Sequence, residues 1–96
     1  MTLGLRRLGS TGAEVSELAL GTLTFGRETD EDASAKILHT FLDAGGNLLD
    51  TADAYGRSEE VLGPLLKGLR DELMIASKVG LPTRRGPNSE GTSRLR

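Results

Sequence analysis

The chain has 96 residues, 36% hydrophobic, 27% charged and 3% aromatic, with twelve basic against fourteen acidic residues for a formal charge of −2. That length allows one domain at most, the balanced charge gives phosphate-driven nucleic-acid binding little to work with, and no apolar run approaches the roughly 20 residues of a membrane span. Cysteine is absent, which excludes disulfides, thiolate metal sites and cysteine nucleophiles and fits a reducing compartment. The first residues carry Arg6-Arg7 with no apolar stretch behind them, so no signal peptide is read and the expected location is cytoplasmic. In chain order, Leu5 to Leu8 and Ala13 to Ser16 flank Gly9-Ser10-Thr11-Gly12 and predict a β-hairpin. Leu18-Ala19-Leu20 reads as a short buried strand ending at Gly21-Thr22. A helix is expected over residues 29–44, with Thr29 as N-cap and Asp30, Glu31 and Asp32 in its first turn, where the helix dipole favours negative charge. Ala33, Ile37, Phe41 and Ala44, widened by Leu38 and Leu42, make its apolar stripe, and Gly45-Gly46 stops it.

Asn47 to Asp50 reads as the next buried strand. A second helix starts after Ser58, with Val61, Leu62, Leu65, Leu66 and Leu69 as its apolar face. Pro64 lies inside that pattern and removes a backbone hydrogen bond, so a kink or restart is expected there. Leu73 to Lys78 is a third strand, and Val79 to Arg96 reads as loop, with Gly91 to Arg96 resembling a further helix start. Strand and helix alternate with a period near 30 residues, which argues for right-handed βαβ units and a parallel sheet. Three strands and two helices leave sheet edges uncovered. The expectation is therefore the first part of a larger α/β unit.

Three side chains stand out within that frame. Asp50 falls at the carboxyl end of the second parallel strand, Tyr55 in the loop after it, and Lys78 at the carboxyl end of the third. Carboxyl ends of parallel strands are where ligands bind, and neighbouring strands lie about 4.8 Å apart, so the three groups can converge. Phenols titrate near 10 in water. An ammonium beside a phenol favours its phenolate, and a carboxylate keeps the ammonium charged. Such a phenol can protonate a carbonyl oxygen as hydride reaches the carbon. By spacing alone the bland readings stand: a loop aromatic, a solvated lysine, a turn-forming aspartate. Asp53, Glu59 and Glu60 read as turn and helix-start residues, and Arg84, Arg85, Arg94 and Arg96 as a solvated basic tail. No Walker loop, GxGxxG, HExxH or EF-hand pattern occurs.

Leu8 to Gly12, Val15-Ser16, Leu20-Gly21-Thr22 and Phe25-Gly26, then Ala44 to Asn47, Asp50 to Gly56, Ser58 to Glu60 and Ala76 to Gly80 together resemble the amino-terminal part of an aldo-keto reductase. The likeness is to the bacterial and potassium-channel β-subunit side of that family. It implies the α/β fold class: an amino-terminal β-hairpin plus the first three βα strands of a (β/α)8 TIM barrel, incomplete over residues 1–96. It implies reduction of a small-molecule carbonyl, an aldehyde or ketone, with NADP(H). Asp50, Tyr55 and Lys78 match three members of the family's catalytic tetrad, and the fourth, a histidine, would follow Arg96. His39 does not replace it, because it lies two positions past Ile37, about 200° around the helix. The family also implies cofactor contacts at Gly21, Thr22 and Asp50, with the main pyrophosphate and adenosine contacts in later strands. No metal is implied. Two other readings compete: a non-catalytic interaction module built on the barrel start, with association with a carboxyl-terminal part through a sheet edge, and a fragment that exposes too much apolar surface to fold stably.

Overall fold

A computed structural model describes residues 2–94. The order is β1 (Leu5–Arg7), β2 (Glu14–Ser16), β3 (Leu20–Gly21), α1 (Glu31–Asp43), β4 (Leu48–Asp50), α2 (Ser58–Leu65), a 3₁₀ turn at Arg70–Glu72 and β5 (Met74–Ala76). β1 and β2 pair antiparallel as the expected hairpin. β3, β4 and β5 form a parallel sheet in that spatial order, with Leu20 opposite Leu49 and Leu49 opposite Ile75. Three strands do not close a barrel. The radius of gyration of 14.8 Å exceeds the roughly 12–13 Å of a compact domain of this length, as an open slab requires.

Alternation along the strands sorts the side chains by face. Leu49 points toward the helices and is fully buried with Phe25, Leu38, Val61, Leu62, Leu66 and Leu73, while Leu20 and Ile75 pack at the margin of that cluster. The opposite face carries Leu48, Asp50, Met74 and Ala76 and has no layer over it among the described residues. Met74 accordingly remains 38% exposed.

The helices begin and end where capping chemistry dictates. Asp30, not Thr29, caps α1: its carboxylate accepts from the Ala33 amide at 2.8 Å. Thr29 is held instead in the preceding turn, where its amide donates to the Thr24 carbonyl at 3.0 Å. At the other end Gly45 (φ +92°) takes the left-handed conformation. Its amide donates to the Leu42 carbonyl and that of Gly46 to Phe41, the Schellman arrangement. A Cβ on Gly46 would collide with the Phe41 ring, so that glycine is also required by packing. The core stripe of α1 runs through Ser34, Leu38, Phe41 and Leu42. Ile37 is 41% exposed, because it lies 100° around the helix from Leu38, beyond the width that three strands cover.

Pro64 occupies the last turn of α2, which ends at Leu65, and a 3₁₀ turn follows at Arg70–Glu72. Leu69 reaches the core margin from the turn that follows. The first parallel strand is displaced from Leu18–Leu20 to Leu20–Gly21, and Leu18 is 62% exposed. The chain from 77 to 94 has neither helix nor strand, and the expected helix start at Gly91 is a bend. Its last two residues, Leu95 and Arg96, lie outside the described residues. The hairpin is tied to the sheet by Asn47, whose side chain accepts from the Ser16 amide at 2.6 Å and donates to the Glu14 carbonyl at 2.9 Å. Asn47 precedes β4, so the hairpin sits at the amino end of the strands, away from Asp50. Among the described residues no helix is long and apolar enough to cross a membrane.

Candidate active site

At the carboxyl rim of the sheet the three expected side chains meet. The Lys78 ammonium donates to Asp50 Oδ1 at 2.7 Å, to the Thr51 carbonyl at 3.0 Å and to the Tyr55 hydroxyl at 3.4 Å. It also lies 5.0 Å from the centre of the Tyr55 ring, within cation–π range. The sheet explains the convergence. Asp50 ends β4 and is in register with Ala76 of β5, so Lys78, two residues further on, emerges from the same face. Pairing persists past the strands: the Thr51 amide donates to Ala76 at 2.8 Å and the Asp53 amide to Lys78 at 3.2 Å. Tyr55 is fixed by a tight turn, its amide donating to Ala52 at 3.2 Å and its carbonyl accepting from Ser58 at 2.9 Å.

The electrostatics follow from these contacts. The hydrogen bond that the Asp50 carboxylate accepts holds the Lys78 ammonium above the ordinary lysine range, opposed by desolvation and reinforced by Tyr55. Lys78 is thus a permanent cation at neutral pH and cannot serve as a base. The Lys78 and Asp50 side chains are 52% and 41% exposed, so water screens the pair. A cavity of about 250 Å³ opens beside the trio, lined by Tyr55, Lys78, Ala52, Ala54, Val79 and Leu81 together with Asp53.

The two remaining candidates separate. Gly21 lies at the surface. Thr22 is 0% exposed and its hydroxyl is spent on the Asp50 carbonyl at 3.0 Å and on Ser58 at 2.7 Å. The Thr22 side chain faces inward because strand alternation turns it toward α2. His39 is exposed on α1, as its phase requires. Spacing did not single out Ser58 or Thr51 as functional. Their signal was present only as hydroxyl residues placed just after one strand and at the first position of a helix.

The arrangement is a phenol, an ammonium and a carboxylate on the rim of a parallel sheet, beside an apolar cavity. Residues 17–96 match the model of the aldo/keto reductase family, and the chain belongs to that family. It is 40% identical over 82 residues to the aldo-keto reductase YhdN of Bacillus subtilis, covering 77% of this chain and 25% of that protein. It is 36% identical over 91 residues to an NADP(+) aryl-alcohol dehydrogenase of Phanerodontia chrysosporium, covering 82% and 24%. Among solved structures, a putative aldo-keto reductase from Pseudomonas aeruginosa superposes with a TM-score of 0.78 at 54% identity, covering 82% of this chain and 33% of that one. An aldo-keto reductase from Bacillus halodurans in its holo form gives 0.77 at 38% identity, covering 92% and 30%. The chain therefore spans about a quarter of those curated relatives and a third of those structures. Its hairpin and parallel βα units are the opening of the barrel fold, and the bacterial side of the expected likeness is met.

Proposed function

We propose that this chain carries the proton-donating part of an NADP(H)-dependent reductase of aldehydes or ketones. The observation that supports it most is the Lys78 ammonium, held at 2.7 Å by Asp50 and standing 3.4 Å from the Tyr55 hydroxyl. NADP(H), when bound, supplies the hydride that reaches the carbonyl carbon. Tyr55 donates its hydroxyl proton to the carbonyl oxygen, and the reduced substrate departs as an alcohol. The phenolate left on Tyr55 is stabilised by the adjacent ammonium, and Asp50 keeps that ammonium in place and charged.

The residues present suit one end of the cofactor. A cavity of about 250 Å³ is below the roughly 300–1,000 Å³ of a drug-sized pocket. It has room for a ring and a small carbonyl beside Tyr55, and not for a whole dinucleotide. Gly21 and Asp50 are the accessible rim groups that would border the ring. The rest of the dinucleotide, and the fourth catalytic group, belong to parts of the barrel beyond these three strands.

A second reading, a module that serves a partner without catalysis, draws on one comparison. An uncharacterised 11.2 kDa protein of Pseudescherichia vulneris is 36% identical over 90 residues, and this chain covers 87% of it. One chimera separates the readings. Residues 17–96 replace the matching third of the Pseudomonas aeruginosa relative, and NADPH oxidation is followed with a small aldehyde. Reduction that falls about 100-fold or more in Tyr55→Phe, the scale of a lost general acid, supports the enzyme reading. A folded, NADPH-binding chimera that reduces equally well with Phe at position 55 refutes it.

A further inference from the structure

Behind the catalytic rim three buried hydroxyl groups meet. Thr22, Thr51 and Ser58 are 0%, 2% and 0% exposed. Ser58 Oγ lies 2.7 Å from Thr22 Oγ1, 3.0 Å from Thr51 Oγ1 and 2.7 Å from the Thr22 carbonyl. Thr22 Oγ1 is also 3.0 Å from the Asp50 carbonyl. Each hydroxyl has one proton to give, so the three supply at most three hydrogen bonds for these four contacts at any instant. Both carbonyls have other donors: Thr22 accepts from the Phe25 amide and Asp50 from the Thr22 amide, each at 3.0 Å. The knot is therefore not needed to satisfy backbone. What it does is join three chain segments at one point: the end of β3, the end of β4 and the first residue of α2.

One of those segments, the end of β4, holds the ammonium. Asp50 gives its carboxylate to Lys78, and Thr51 gives its carbonyl. The third segment also fixes Tyr55, through the Ser58 amide on the Tyr55 carbonyl. We propose that Ser58 is a positioning residue of the site: its buried hydroxyl pins the ends of β3 and β4 so that the Thr51 carbonyl and the Asp50 carboxylate hold the Lys78 ammonium beside the Tyr55 hydroxyl. Ser58 touches no reacting atom and acts through Thr51 and Thr22. The consequence for turnover rests on the proton-donor reading above; the placement of the ammonium does not.

The test reads that placement without cofactor or turnover. The chain has three lysines, Lys36, Lys67 and Lys78. The intact chain is acetylated with trace acetic anhydride under native conditions, and each lysine is quantified by peptide mass spectrometry. Only the free amine reacts, so the Asp50-paired Lys78 is expected to react more slowly than Lys36 and Lys67. Ser58→Ala and Thr51→Val should each raise the Lys78 rate about twofold or more relative to the other two. The double variant should add little to the larger single effect, because both changes break one link. Ile37→Ala, which weakens α1 on its exposed side outside the core cluster, should leave the relative rate unchanged. Thr51→Val keeps the shape of the residue and decides the matter if Ser58→Ala does not fold. An unchanged Lys78 rate in folded Thr51→Val, or an equal rise in Ile37→Ala, overturns the proposal. A chimera that fails to reduce aldehydes while Lys78 still responds to Ser58 would sink the enzyme reading and leave this one standing.

Discussion

Replacing Leu38 and its neighbour Ile37, each by alanine, tests the packing that carries the site. Both changes delete three carbons from the middle of α1. Leu38 is 0% exposed and sits among Phe25, Leu49, Val61 and Leu62 in the cluster that supports β4. Three methylene-sized groups at about 0.8 kcal/mol each give about 2.4 kcal/mol of lost transfer energy, and the residual cavity brings the cost to about 3–4 kcal/mol. Ile37 is 41% exposed, so only about three fifths of the same transfer term is lost, about 1.4 kcal/mol. Alanine's better helix propensity returns a few tenths, and no closed cavity forms, which leaves about 1 kcal/mol. A 96-residue chain with an open sheet face has a total stability near the lower end for its size, about 5 kcal/mol. Leu38→Ala therefore removes most of it. Urea unfolding followed by far-ultraviolet circular dichroism measures both. With a slope of about 1.5 kcal/mol per molar, the midpoint should fall by about 2 M for Leu38→Ala and by less than about 1 M for Ile37→Ala. Equal losses, or the larger loss at Ile37, would mean that α1 is rotated from the phase described and that the support under Asp50 has been misassigned.

Capping gives a second contrast: Asp30→Ala should cost about 1 kcal/mol and Thr29→Ala less than about 0.5 kcal/mol by the same unfolding assay, and the reverse order would restore Thr29 as the cap. Ser34 is fully buried and its hydroxyl has no hydrogen-bond partner among the described residues, so Ser34→Ala should be neutral or stabilising by up to about 1 kcal/mol; a loss greater than that would show that the hydroxyl is engaged. Lys78 titrates above the ordinary lysine value because Asp50 accepts its hydrogen bond. Its contribution to stability is thus fully present below the unfolded lysine value, near 10.4, and is lost as pH rises through the higher folded one. Denaturation midpoints measured across that alkaline window should fall less steeply in Lys78→Met than in the parent chain, and the difference should shrink in high salt, since both partners are exposed.

Much of this chain can be read residue by residue. The period of apolar and turn residues marks the hairpin, the three strands and the two helices, because hydrophobic alternation and glycine stops are local properties. Gly45-Gly46 ends α1 for reasons two residues carry themselves. The rim trio was visible for a related reason: consecutive parallel strands place their carboxyl ends together whatever lies between them. Other features depend on what packs where. Asp30 and Thr29 offer equivalent capping chemistry in sequence, and the turn that holds Thr29 against Thr24 leaves the task to Asp30. Ile37 belongs to an apolar stripe, yet the width of a three-stranded sheet decides how much of that stripe is covered.

The same division runs through the site. Residue type and order allow an acid, a phenol and an amine to reach one rim, since strand polarity and spacing are consequences of the backbone. Only the tertiary structure decides which hydroxyls stand behind that rim. Thr22, Thr51 and Ser58 lie up to 36 positions apart along the chain, and nothing local in any of them signals the others. They meet because alternation turns two strand ends toward α2, and burial leaves the hydroxyls to bond one another and the Thr22 and Asp50 carbonyls.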